Sequence, residues 1–331
     1  MAYAFFPAQM LTILPFGWLF YIRGTLSVET FVTVIILALG MAALIVAAFN
    51  FVDTLALVGT TVSQVDEILK AEEQEHGAQS VSFSDHSVEV KDVSFGYHDD
   101  KEILHGVSLF VPQNSMTALV GTSGSGKSTL AKLIAGFWDV KNGTITMGGH
   151  DLKEISLTEL YDQVAFVSQD NYLFDDTVRE NIRMGRRDAT DAEVEAAAHN
   201  AGCDSFIGEL ENGFDTAVGG GGAHLSGGEK QRISIARAML KNAPIVIIDE
   251  ATANVDPENE DRLQKAIEAL TRDKTIIMIT HRLKTVRHAD QILVIDHGRI
   301  VQQGKHEQLI AEPGIYADFV GGKKQTVGWK L

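Results

Sequence analysis

Gly121-Thr122-Ser123-Gly124-Ser125-Gly126-Lys127-Ser128-Thr129 is the stretch whose reading decides the fold. A short apolar run, residues 117–120, precedes it, and a helical pattern over residues 130–137 follows. Strand, glycine loop and helix in that order are the context in which a G-x-x-x-x-G-K-S run cradles phosphate. Glycines let the backbone curl so that successive N–H groups converge on phosphate oxygens, and the helix start adds its positive dipole. Lys127 is placed to reach the β- and γ-phosphates, and the Ser128 hydroxyl to ligate Mg²⁺. The stretch points to a bound nucleoside triphosphate.

Two further stretches carry chemistry. Ile245-Val246-Ile247-Ile248-Asp249-Glu250 is an apolar strand ending in two carboxylates. Asp249 can hold the water shell of Mg²⁺, and Glu250, one residue on, can orient or deprotonate an attacking water. Together with the phosphate loop this pair favours hydrolysis over binding alone. Leu225-Ser226-Gly227-Gly228-Glu229 opens a long helical pattern. It reads either as a second anion site at a helix start or as an N-cap with a capping box between Ser226 and Glu229.

Charge and composition set bounds on the whole. The chain has 331 residues and a net charge of −16, enough for more than one structural unit. Up to residue 60 the ionisable acids and bases are Arg23, Glu29 and Asp53, so nearly all the negative charge falls later. An acidic soluble portion argues against a nucleic-acid partner. The single cysteine, Cys203, excludes an internal disulfide and reads as a small packing residue in a reducing compartment.

In chain order, residues 2–22 are apolar, and residues 30–52 run without a charge, long enough to cross a hydrocarbon core. Both read as membrane spans joined by a tight turn. Phe51, Leu55, Val58, Val62, Val65 and Leu69 then continue as one stripe of an amphipathic helix, expected to leave the membrane and find a packing partner. The division expected is a partial transmembrane domain over 1–70, a polar, acidic linker over 71–86, and an α/β domain over 87–331. In that last part strands are expected at 88–93, 107–111, 144–147, 164–168, 245–248, 275–280 and 291–295. Helices are expected at 178–184, 191–201, 227–240 and 258–270. Such alternation implies a mostly parallel sheet flanked by helices, with antiparallel β near 87–111.

These motifs together resemble the nucleotide-binding domain of ABC transporters, with residues 225–229 looking like that family's signature. The resemblance covers residue 87 to the C-terminus and implies an ABC-type P-loop NTPase fold. It assigns Tyr97, in Phe95-Gly96-Tyr97, to stacking on adenine. Gly121, Thr122, Ser123, Gly124, Ser125, Gly126, Lys127, Ser128, Thr129 and Asp249 would hold ATP. Gln169 corresponds to the Q-loop glutamine, so Ser128, Gln169 and Asp249 would hold Mg²⁺, partly through water. Glu250, His281 and Gln169 take the catalytic places, and Asp256 lies in the D-loop. Leu225, Ser226, Gly227, Gly228 and Glu229 would act in trans, because in this family each ATP is sandwiched between one P-loop and the partner's signature.

The resemblance further implies an ATPase that drives transport, as a homodimer or a heterodimer with another half-transporter. It places the protein in the cell membrane as a multi-pass chain with its ATPase domain in the cytoplasm. Export of a lipid, drug or peptide is the default expectation. An exporter-fold importer of metal–siderophore complexes and a truncated, non-transporting ABC ATPase are the alternatives, and the transported substrate is not legible. A half-transporter of this family has six spans, so the chain is expected to be a C-terminal fragment. Two departures stand out: Gly220 occupies the place of a glutamate usual in exporters, and Ala253 that of a frequent serine. The first bears on coupling to the membrane domain, the second is expected to be tolerated.

Overall fold

The computed structural model describes residues 5–70, 74, 76–77, 81–98, 101–249, 257–280 and 282–326. By contact density the chain divides into two units, residues 1–73 and 74–331.

The first unit is helical. Phe5–Ile22 forms one helix, and Ser27 caps a second, Val28–Leu69, by accepting the Thr30 N–H at 3.2 Å. That second helix has 42 residues and is the one described helix long and apolar enough to cross a membrane. Its length, about 63 Å at 1.5 Å per residue, is roughly twice a hydrocarbon core, so it also extends beyond one. The expected first span is shorter in its described apolar part, Met10–Ile22. The stripe from Phe51 to Leu69 continues the same helix without a break and is exposed throughout, from 50% at Val65 to 78% at Leu69.

In the second unit the described strands are β1 (Val88–Phe95), β2 (Leu104–Val111), β3 (Met116–Val120), β4 (Asn142–Met147), β5 (His150–Asp151), β6 (Val164–Val167), β7 (Ile245–Asp249), β8 (Thr275–Ile279), β9 (Gln291–Asp296) and β10 (Arg299–Gly304). They form two sheets. One is antiparallel, in the order β2-β1-β4-β5. The other runs β10-β9-β3-β8-β7-β6 and is parallel except for the β9–β10 hairpin at its edge.

Every residue of β7 and β8 is buried, which is why these central strands read as unbroken apolar runs in the sequence. β10, at the edge, alternates exposed and half-buried residues. Helix starts follow a repeated Ser/Thr-x-x-Glu spelling: Ser156, Thr177, Thr190 and Ser226 each accept the backbone N–H of the glutamate three residues on. At Thr190 and Ser226 the glutamate also reaches back, closing a capping box.

The stretch expected to be a linker is seated on this unit from Gln74 onward. The Gly77 N–H donates to the Lys153 carbonyl at 2.8 Å, the Val81 N–H to Glu159 Oε2 at 3.1 Å, and the Phe83 ring meets His150 edge-on.

Candidate nucleotide site

Parallel strands place their C-terminal ends on one rim of the sheet, where ligands of such folds bind. The register aligns Leu119 of β3 with Ile279 of β8, Ile279 with Asp249 of β7, and Ile248 with Val167 of β6. Residues 121–129, Thr280, Asp249 and Gln169 therefore leave the sheet along one line, although they are scattered over more than 150 positions of sequence.

The loop after β3 needs its glycines. Gly121 has φ +148°, and a Cβ there would collide with the Ile295 carbonyl. Gly126 caps the following helix, Lys127–Ile134, at φ +102°, and a Cβ there would strike Leu104. The β9–β10 hairpin braces the loop: the Gly298 N–H donates to the Ser125 carbonyl at 3.1 Å, and Thr122 Oγ1 to Asp296 Oδ1 at 3.2 Å. Lys127 is 7% exposed, and its ammonium donates to Gly121 O at 3.1 Å, Thr122 O at 2.7 Å and Ser125 Oγ at 3.3 Å. The loop thus wraps a cation, and its glycines at 121 and 126 let it pack closely against β9 and β2.

Ser128 Oγ donates to Asp249 Oδ1 at 3.1 Å, joining the loop's helix to the end of β7. Burial pushes the Asp249 carboxyl above its ordinary range, while the Ser128 hydrogen bond, Lys132 and Lys127 pull it back. A hydroxyl and a carboxylate side by side are the hard oxygen donors that Mg²⁺ prefers, so the residues fit the ion expected there.

Tyr97 follows β1, and its hydroxyl donates to Thr129 Oγ1 at 3.3 Å, which ties it to the same helix. Gln169 is exposed two residues beyond β6. Ser226, Gly227, Gly228 and Glu229 form the start of helix Gly227–Lys241, with the Ser226 N–H donating to Glu229 Oε2 at 2.7 Å. Leu225 is buried beneath them. Ser226 and Gly227 are exposed, so this helix start faces outward. Glu250, Asp256 and His281 lie outside the described residues.

Two residues here carry no signal as a motif. Asn181, fully buried, accepts the Phe174 N–H at 2.9 Å and donates to the Phe174 carbonyl at 3.0 Å. Arg237, on helix Gly227–Lys241, donates to Asn181 O at 2.9 Å, to Asn181 Oδ1 at 3.2 Å and to Tyr172 O at 3.4 Å. They bind the helix that starts at Ser226 to the segment that follows Gln169. A polar residue on the apolar side of helix Val178–Arg183 is the trace Asn181 leaves in the sequence. In the glycine run, Gly219, Gly221 and Gly222 have φ of +73°, +65° and +68°. Gly220 does not share this, and a Cβ there meets nothing within 4 Å. The backbone at 220 would accept a side chain.

A phosphate-cradling loop after the central strand, with a carboxylate from a parallel strand two places along the sheet hydrogen-bonded to its Ser, defines a P-loop nucleoside-triphosphate-binding unit. Residues 104–253 match the ABC transporter family, so the chain carries a domain of that family. An uncharacterized ABC transporter ATP-binding protein of Bacillus subtilis is 45% identical over 239 residues, covering 72% of this chain and 40% of that protein. A Staphylococcus aureus protein provisionally named a multidrug export ATP-binding/permease protein is 46% identical over 241 residues, again 72% of this chain and 42% of the relative. The solved structure of a bacterial Atm1-family ABC exporter with ATP bound superposes with a TM-score of 0.74 at 36% identity. That match covers 96% of this chain and 57% of the exporter. The chain thus spans about two-fifths of the curated relatives it matches, 40% and 42% of their lengths.

Proposed function

We propose that this chain binds and hydrolyses ATP with Mg²⁺ as the ATPase part of an exporter-type ABC transporter in a membrane. The observation that carries the reading is the 3.1 Å hydrogen bond between Ser128 and Asp249, which sets a hydroxyl and a buried carboxylate beside the Lys127 ammonium. On binding, Lys127 exchanges its loop oxygens for phosphate oxygens, and the loop N–H groups meet the rest of the chain of phosphates. Mg²⁺ held by Ser128, Asp249 and Gln169 would neutralise charge on the β- and γ-phosphates. Tyr97 stacks on the base, Glu250 orients the attacking water, and His281 meets the γ-phosphate.

Two copies, or this chain and a related half-transporter, close on ATP head to tail. Each ATP then lies between one P-loop and the partner's Ser226–Gly228. Domains follow the division 1–70, 71–86 and 87–331, with the ATPase domain in the cytoplasm. The export names of the S. aureus relative and of the solved structure support export as the direction.

The test is phosphate release by the full chain in detergent, with ATP and Mg²⁺. Turnover that disappears on chelating Mg²⁺ and in Lys127→Ala is expected. Turnover indifferent to both would overturn the reading.

A further inference from the structure

We infer that Trp138 is a positioning residue for the nucleobase: with Tyr97 it forms an aromatic site for a purine ring beside the phosphate loop. The inference rests on the ATP-binding reading above.

Trp138 stands four residues past helix Lys127–Ile134, and it is 48% exposed although it is among the largest apolar side chains of the unit. Its ring lies 5.3 Å from that of Tyr97 at 78°, while Phe95 lies 5.2 Å from Tyr97 at 86° and 6.4 Å from Trp138 at 57°. Phe95 is 5% exposed and Tyr97 37%, so the cluster has a buried floor and two rings open to solvent. Edge-to-face neighbours of this kind restrict a ring's tilt as well as burying it. The phenol of Tyr97 cannot swing freely either, since its hydroxyl is tethered to Thr129 within the phosphate loop's own helix. The two open rings are therefore tied to the helix that follows the phosphate loop.

Trp138 is held from the next residue. Gln74 Nε2 reaches Asp139 Oδ1 and the Gly136 carbonyl, each at 3.4 Å, and His76 Nε2 lies 3.2 Å from Asp139 Oδ1. The turn that carries the indole is thus fastened by the seated stretch that begins at Gln74. A half-exposed tryptophan locked beside a half-exposed tyrosine is a surface prepared for a flat apolar ligand. A purine attached to phosphates in the loop is the flat group that the neighbouring site delivers.

The test compares Kd values of ATP and of inorganic tripolyphosphate, both with Mg²⁺, measured by calorimetry on the full chain in detergent. Trp138→Ala should weaken ATP about three- to tenfold, the range of one aromatic contact, and leave tripolyphosphate unchanged. Trp138→Phe should recover most of the loss. Equal losses for both ligands would make Trp138 a structural support of the loop and overturn the inference, as would an unchanged Kd for ATP. Failure of the unsubstituted chain to bind either ligand would sink the ATP-binding reading as well, so the two failures read differently.

Discussion

Ser128 and Asp249 are joined by a single 3.1 Å hydrogen bond that spans 121 positions of sequence. The bond leaves a carboxylate buried at 5% exposure, and burial holds its pKa above the ordinary 3.8. An acid whose folded-state pKa is raised gives stability that is fully present below the unfolded value and is lost as pH rises through the folded one. At neutral pH the charged Asp249 therefore costs the nucleotide-free fold stability. Asp249→Asn, the same shape without charge, should raise the thermal midpoint at pH 7, and the gap to the unsubstituted chain should narrow as pH falls toward 4. The same variant should lose Mg²⁺-dependent turnover. A midpoint at pH 7 that is unchanged or lower would show that burial of this carboxylate is not what the site strains against.

Glu250 follows the buried strand directly, and its proposed role separates binding from chemistry. Glu250→Gln should bind ATP as the unsubstituted chain does while phosphate release falls on the order of 100-fold or more, the range of a lost general base. Lys127→Ala should instead impair ATP binding itself, since it removes the charge that meets the phosphates. Unchanged phosphate release in Glu250→Gln would refute the assignment.

What could be read in advance follows from where each element is buried. β7 and β8 lie inside the sheet, so all five residues of each are apolar or shielded, and their runs were legible at once. β10 reads Arg-Ile-Val-Gln-Gln-Gly because an edge strand has one wet face, and nothing in that spelling separates it from a loop. The helix after the phosphate loop starts at Lys127, not Leu130, because Gly126 caps it in the left-handed region, a conformation periodicity does not register. Asn181 and Arg237 meet through folding across 56 positions, and no local pattern announces such a pair. The motif residues of the site, by contrast, are legible as types and spacings, and the parallel register gathers residues 121–129, Asp249 and Gln169 on one rim.

Cys203 offers a check on the core of the helical part. It is fully buried, and burial pushes its thiol up to about 12. At pH 8 only about one molecule in ten thousand then carries the reactive thiolate. An aromatic disulfide reagent should leave the folded chain unlabelled over hours and label it at once in denaturant. Rapid labelling of the folded chain would show that this core opens.

The outward-facing helix start at Ser226 leads to the last prediction. Ser226 and Gly227 are exposed, and Ser226 is already satisfied within its own capping box with Glu229. A box of this kind stabilises its helix and leaves the remaining N–H groups of the first turn free to meet an anion from elsewhere. If that anion is the γ-phosphate held by a partner's P-loop, then Lys127 and Ser226 act in different sites of a dimer. Mixing a Lys127→Ala chain with a Ser226→Ala chain should produce dimers in which one composite site has both residues intact and the other has neither. Each variant alone should be nearly inactive, and the mixture should recover part of the ATPase rate in proportion to the mixed dimers formed. Mixed dimers shown to exist by differential tagging, yet with no recovered phosphate release, would place both residues in one site and remove the head-to-tail arrangement.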